Sequence, residues 1–170
     1  MKKVFLIAAM ALFGFGVQAQ DQDQDQSGFK LGLNVQLPVG DASDVSSFGL
    51  GLDAAYMFEV SDQFDLGVAT GFSNVFGKTI DAGEFEIEID DFQYIPLAAA
   101  ARYNATEEFS VGADLGYAIG INDGNDGGFY YKPTVGYMLS EGTQLNLSYV
   151  GISVNDFTYS TINLGVLFSL

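Results

Sequence analysis

Apolar and polar residues alternate along most of this chain, most regularly between Phe48 and Val60. In that stretch the even positions are apolar, whereas the odd positions include glycine, aspartate and glutamate. A period of two residues predicts a β-strand with two chemically different faces. The strand is also long enough to span a membrane, because about 9 to 11 tilted residues cross the hydrocarbon of a bilayer.

Eight segments show this alternation. They are residues 29–37, 48–60, 64–74, 93–103, 108–120, 129–139, 143–151 and 158–170. The connections after the second, fourth and sixth segments have three or four residues, whereas those after the first, third and fifth are clearly longer. Within the longest connection, the alternation from Glu84 to Asp91 leaves a second interpretation open, in which the fourth strand reaches back as a hairpin arm above the bilayer.

These segments predict an all-β fold, an eight-stranded antiparallel up-and-down transmembrane β-barrel. A soluble sheet buries its apolar face under helices or a second sheet, and no later segment supplies that cover. A closed sheet with its apolar face outward needs a bilayer around it. Short turns at one rim, longer loops at the other, and aromatic residues near both rims are typical of outer-membrane barrels.

The residues before the first strand predict two further segments. Lys2 and Lys3 precede an apolar run and then small residues, so residues 1–19 have the pattern of a secretory signal peptide. Residues 20–28 read Q-D-Q-D-Q-D-Q-S-G and lack apolar side chains, which predicts a flexible polar N-terminal tail. Residues 29–170 form the barrel domain.

Composition narrows the classes of function. The chain has 6 basic and 22 acidic residues, and removal of residues 1–19 leaves 4 − 22 = −18 formal charges, which argues against nucleic acid as a partner. It contains no cysteine and no histidine, so the commonest general base and the commonest zinc ligand are missing. We therefore predict no enzymatic activity and no cofactor.

Short motifs relate the chain to a known family. Ile95-Pro96-Leu97, followed by Arg102-Tyr103, and the glycine-rich strand S-V-G-A-D-L-G-Y-A-I-G resemble the porin-like outer membrane beta-barrel protein family. The resemblance covers about residues 29–170 and implies a small eight-stranded barrel similar to the transmembrane domain of outer membrane protein A. Members usually end in an aromatic residue recognised by the barrel-assembly machinery, so recognition here would use Phe168 or accept Leu170.

Charged residues on the polar face of the strands are expected to point into the lumen. They are Lys30, Asp53, Glu59, Asp65, Arg102, Asp114 and Lys132. Eight strands leave an interior just wide enough for side chains to fill, so we predict a lumen plugged by ion pairs. Arg102 is expected to pair with Asp65 or Asp114. A gated conduction path is the alternative.

Acidic loops offer candidate weak divalent-cation sites. The first set is Glu84, Glu86, Glu88 and Asp90, and the second is Asp123 and Asp126. Such oxygens could hold Ca²⁺ or bridge divalent ions to lipopolysaccharide. Neither set has the spacing of a full calcium-binding loop, so solvated loops are the simpler interpretation.

Three functions fit these observations to different degrees. The first is a structural or interaction protein with a plugged lumen and acidic extracellular loops, and the second is a narrow cation-preferring porin. A lipocalin-like soluble barrel would need an apolar interior, whereas the opposite face here is polar. The expected location is the outer membrane of a Gram-negative bacterium, with outer-membrane lipid, lipopolysaccharide and the assembly machinery as partners and a monomer as the assembly.

Overall fold

The computed structural model of the protein describes residues 28–81, 86–154 and 157–170. Strands dominate these ranges. They are β1 (Gly28–Val39), β2 (Ser46–Ser61), β3 (Phe64–Gly77), β4 (Thr79–Asp81), β5 (Glu86–Glu88), β6 (Phe92–Asn104), β7 (Phe109–Gly120), β8 (Gly128–Ser140), β9 (Thr143–Val154) and β10 (Phe157–Ser169). The predicted signal peptide and residues 20–27 of the predicted tail lie outside the described residues.

Eight of these strands close into a barrel in the order β1-β10-β9-β8-β7-β6-β3-β2. Every neighbouring pair is antiparallel. The first and last strands close the ring, with Leu33 opposite Val166 and the Leu170 N–H donating to the Phe29 carbonyl at 2.9 Å. The prediction of an eight-stranded antiparallel barrel is confirmed.

The alternation also assigned the two faces of the wall correctly. Leu52, Val68 and Leu164 belong to a band of exposed apolar side chains on the exterior, whereas Asn34 and Asn163 are buried inside. A lipocalin-like barrel with an apolar ligand-binding interior is therefore wrong for this chain.

Two connections contain more structure than the sequence predicted. The connection after β1 contains a four-residue helix, α1 (Ala42–Val45). The connection after β3 contains β4 and β5, which pair with each other through Ile80 and Ile87 and form a separate two-stranded sheet. We call this sheet the ribbon. It includes part of the alternating stretch from Glu84 to Asp91, but residues 89–91 separate β5 from β6, so the fourth barrel strand does not reach back as one continuous arm. No helix in the described ranges is long and apolar enough to cross a membrane.

The two ends of the barrel differ. The short-turn end carries residues 62–63, 105–108 and 141–142 together with both ends of the described chain. The long-loop end carries α1, the ribbon and the connection that follows β7.

Candidate functional site

An ion pair crosses the middle of the lumen. The Lys132 Nζ lies 2.8 Å from the Asp53 Oδ1, and their side chains are 10% and 29% exposed. Lys132 is on β8 and Asp53 is on β2, strands that lie four positions apart in a ring of eight and therefore face each other across the bore. The pair consequently bridges opposite walls of the barrel.

Amide side chains extend this bridge along the wall. The Asn34 Nδ2 donates to the Asp53 Oδ2 at 2.8 Å, so both carboxylate oxygens of Asp53 are engaged. The Gln36 Nε2 donates to the Asn34 Oδ1 and to the Ser73 Oγ, each at 2.9 Å. We call these five side chains the central network: Lys132, Asp53, Asn34, Gln36 and Ser73. The hydrogen bonds of the network hold the lysine and the aspartate in place.

A second ion pair lies on neighbouring strands. The Arg102 Nη1 is 2.7 Å from the Asp114 Oδ1 and also donates to the Ala101 carbonyl at 2.9 Å. Gly112 lies directly opposite Arg102, and a Cβ there would stand 2.5 Å from the Arg102 Cδ. Glycine thus leaves room for the arginine side chain along the wall. Of the two partners expected for Arg102, the structure shows Asp114.

The remaining predicted lumen charges lie nearer the short-turn end. Asp65 is buried and accepts a hydrogen bond from the Asn104 Nδ2 at 2.9 Å, and Lys30 is also buried. Glu59 is exposed and lies near the end of β2, in register with Asp65 on β3. Of the predicted lumen charges, Glu59 is therefore the one that lies at the water-exposed rim and not in the buried interior.

Aromatic side chains close the lumen at the long-loop end. Phe92 on β6 stacks on Tyr159 on β10, with ring centroids 4.0 Å apart and planes 16° apart. These strands also face each other across the ring. Tyr94 and Tyr130 lie beside the stack with centroids 6.4 Å apart, and the Tyr159 hydroxyl donates to the Ser46 Oγ at 2.7 Å.

Apolar residues pack around these rings. The buried members are Ala42, Val75, Ala118, Val150 and Ile152. Together with Phe92, Tyr94, Tyr130 and Tyr159 they form what we call the mouth cluster. Sequence reasoning did not identify the cluster. Alternation does place Tyr94 on the same face of β6 as Arg102, and Tyr130 on the same face of β8 as Lys132, and that face points inward.

The space left in the lumen is small. One cavity of about 40 Å³ is lined by Asp53, Arg102, Asp114, Tyr130 and Lys132 among others. A second, of about 20 Å³, lies toward the short-turn end and shares Arg102 with the first. A water molecule needs roughly 10 to 15 Å³ of such volume, so the larger cavity has room for about three waters.

The acidic loops do not assemble a metal site. Glu86, Glu88, Asp90, Asp123 and Asp126 are all exposed, and the described part of the chain contains no group of three acidic side chains that could hold a metal ion. Glu86 and Glu88 lie on an extended strand, where side chains on one face are about 6 to 7 Å apart and do not converge. The predicted divalent-cation site is therefore not formed by these residues; Glu84 lies outside the described ranges.

The closed sheet with an apolar exterior and a polar, filled interior defines a class of protein, the β-barrels that cross a membrane with their strands. The model of the outer membrane protein beta-barrel domain family matches residues 7–169. The chain belongs to this family and is accordingly an outer-membrane protein.

Solved structures agree with this fold. The crystal structure of Ail, the attachment invasion locus protein of Yersinia pestis, is 18% identical, covers 84% of this chain and 96% of its own, and has a TM-score of 0.57. A designed transmembrane β-barrel is 10% identical, covers 89% of this chain and 100% of its own, and has a TM-score of 0.53. At these identities the likeness concerns the fold alone. No curated protein sequence matches this chain.

Proposed function

We propose that this protein is a sealed outer-membrane barrel that acts through its surface, as a structural and interaction protein, and does not pass solutes through its lumen. The observation that carries the proposal is closure at two depths by contacts between opposite walls. The Lys132–Asp53 ion pair blocks the middle of the bore, and the Phe92–Tyr159 stack blocks the long-loop end.

Both contacts across the bore are stabilised by their surroundings. The ion pair is mostly shielded from water and its aspartate is held by Asn34, so separating it would leave buried charge without a partner, which is strongly unfavourable. The aromatic stack is packed against buried apolar side chains and anchored by the Tyr159–Ser46 hydrogen bond. A conducting state would require both contacts to separate.

The surface that remains available is at the long-loop end, which we assign to the extracellular side because outer-membrane barrels carry their longer loops there. It presents α1, the ribbon and the loop after β7, with exposed Asp44, Glu88 and Asp126. The proposal includes no catalytic step, since the chain has neither histidine nor cysteine and the lumen acids Asp53 and Asp114 are paired with bases.

Single-channel recording tests this proposal. The protein is purified from membranes, its folding is verified by a heat-dependent shift in gel mobility, and it is reconstituted into planar bilayers. We expect the native protein to be silent, because the Lys132–Asp53 ion pair and the Phe92–Tyr159 stack both lie across the bore. A variant combining Phe92→Ala with Lys132→Ala removes both closures and should give discrete conductance steps.

A matched variant controls for loss of an aromatic ring elsewhere. Phe72→Ala removes an exposed ring from the outer face and should leave the bilayer silent, provided the gel shift shows a folded barrel. Discrete cation-selective steps from the native protein, altered by Arg102→Ala, would instead establish the narrow porin and contradict a sealed lumen.

A further inference from the structure

The ribbon has two unpaired edges. Its strands, Thr79–Asp81 and Glu86–Glu88, pair only with each other in the described part of the chain and are not part of the barrel. The outer edge of each strand therefore offers backbone N–H and C=O groups to another strand. A two-stranded sheet alone in water is marginally stable, so an added strand would stabilise it.

An apolar pair lies on the ribbon. Ile80 and Ile87 are directly opposite each other and are 41% and 54% exposed. Successive side chains on a strand point to opposite faces, so Glu86 and Glu88 lie on the other face from Ile87. One face of the ribbon is thus apolar at its centre, and the other carries carboxylates.

The distribution of charge on the protein surface indicates what kind of molecule the ribbon would bind. Every charged residue that is exposed in the described ranges is acidic, and Lys78 is half-buried. Three of the four described basic residues, Lys30, Arg102 and Lys132, are in the lumen, and the Lys78 ammonium donates to the Ser43 carbonyl at the base of the ribbon. A second copy of the chain and the phosphates of an anionic lipid surface would both be repelled by such an exterior.

We propose that the ribbon binds an extended segment of a basic protein as a third strand. The segment would alternate lysine or arginine with apolar residues, placing its cations near Glu86 and Glu88 and its apolar side chains beside Ile80 and Ile87. Backbone hydrogen bonds along the edge would supply affinity, and the alternating side chains would supply selectivity. This inference rests on the proposed surface function and names the class of partner.

Peptide binding tests the inference. The protein in zwitterionic detergent is titrated with a labelled eight-residue peptide alternating lysine and valine, and binding is followed by fluorescence anisotropy. We expect saturable binding that weakens about tenfold or more when salt rises from about 0.05 M to about 0.5 M, because the contacts between charges are exposed. The double variant Glu86→Gln, Glu88→Gln should weaken binding by at least about tenfold for the same reason.

Two controls separate strand addition from simple charge attraction. A peptide of the same sequence with alternate backbone amides methylated keeps every charge but loses edge donors, and it should bind at least about tenfold more weakly. The double variant Asp123→Asn, Asp126→Asn removes the same charge from another loop of the same rim and should change affinity less than about twofold, because these residues belong to the loop after β7 and not to the ribbon strands.

Several results would overturn the inference. They are equal binding of the methylated peptide, equal loss of affinity in both double variants, or no binding up to about 1 mM peptide. None of these results would affect the sealed barrel, which the conductance recordings decide separately. Conversely, a conducting barrel that binds the peptide would overturn the sealed lumen and keep the ribbon site.

Discussion

Replacement of Lys132 by methionine should destabilise the barrel through the charge that it leaves behind. Removing one partner of a buried ion pair costs about 3 to 5 kcal/mol. Asp53 is 29% exposed and keeps its hydrogen bond from Asn34, so part of its charge remains stabilised. We therefore expect Lys132→Met to lower the free energy of unfolding by about 3 kcal/mol, at the lower end of that range.

The assay is reversible urea unfolding in lipid vesicles, followed by circular dichroism and by the gel shift. The double variant Lys132→Met, Asp53→Asn leaves no buried charge of this pair without a partner. Its loss in free energy of unfolding should therefore be smaller than the sum of the losses in the two single variants by about 1 to 3 kcal/mol. Lys78→Met, which removes a lysine from the rim, should cost less than about 1 kcal/mol. Strict additivity of the two lumen changes would refute the ion pair across the bore.

Two further predictions concern the outer wall. Leu52→Arg places a charge on the lipid face, where Leu52 is 46% exposed, and should cost about 2 to 4 kcal/mol in the same titration; a cost near zero would mean that Leu52 does not face lipid. A Cβ at Gly151 would stand 2.1 Å from the Tyr131 ring, so Gly151→Ala should cost about 1 to 3 kcal/mol. Adding Tyr131→Ala should recover part of that loss, and no recovery would show that the contact with the ring is not the cause.

The period of two residues determined much of this fold in advance. Because strand side chains alternate strictly, the polarity of positions such as Asn34 and Leu52 identified the lumen and lipid faces before any pairing was known. Adjacent strands could also be inferred from chain order in an up-and-down barrel. That order brings Arg102 and Asp114 onto neighbouring strands, so their pairing was within reach of the sequence.

Contacts between opposite walls of the barrel could not be predicted from alternation and chain order. The pairing of Lys132 with Asp53 depends on which strands face each other after closure and on the direction in which two long side chains extend. Phe92 was not predicted to point into the lumen, because it precedes the predicted fourth strand and was assigned to a loop. Its stacking on Tyr159 appears only when the long-loop ends of β6 and β10 are brought together.

The end of β2 shows a limit of simple alternation. Glu59 has the parity of the lumen residues and is in register with the buried Asp65, yet it is exposed. It lies two residues before the end of β2, at the rim, where water reaches side chains on either face. Parity therefore predicts the face on which a side chain lies and does not predict its burial near a rim.

Cysteine accessibility in the folded barrel tests the sealed lumen most directly, because the native chain has no cysteine and each introduced thiol can be assigned without ambiguity. Ser148→Cys places a thiol at the wall of the larger cavity, and Asp126→Cys places one on the loop after β7. A small cationic methanethiosulfonate reagent should modify the loop thiol rapidly and the lumen thiol only after unfolding. Modification of both thiols at the same rate in the folded protein would show that solutes enter the lumen and would contradict the account.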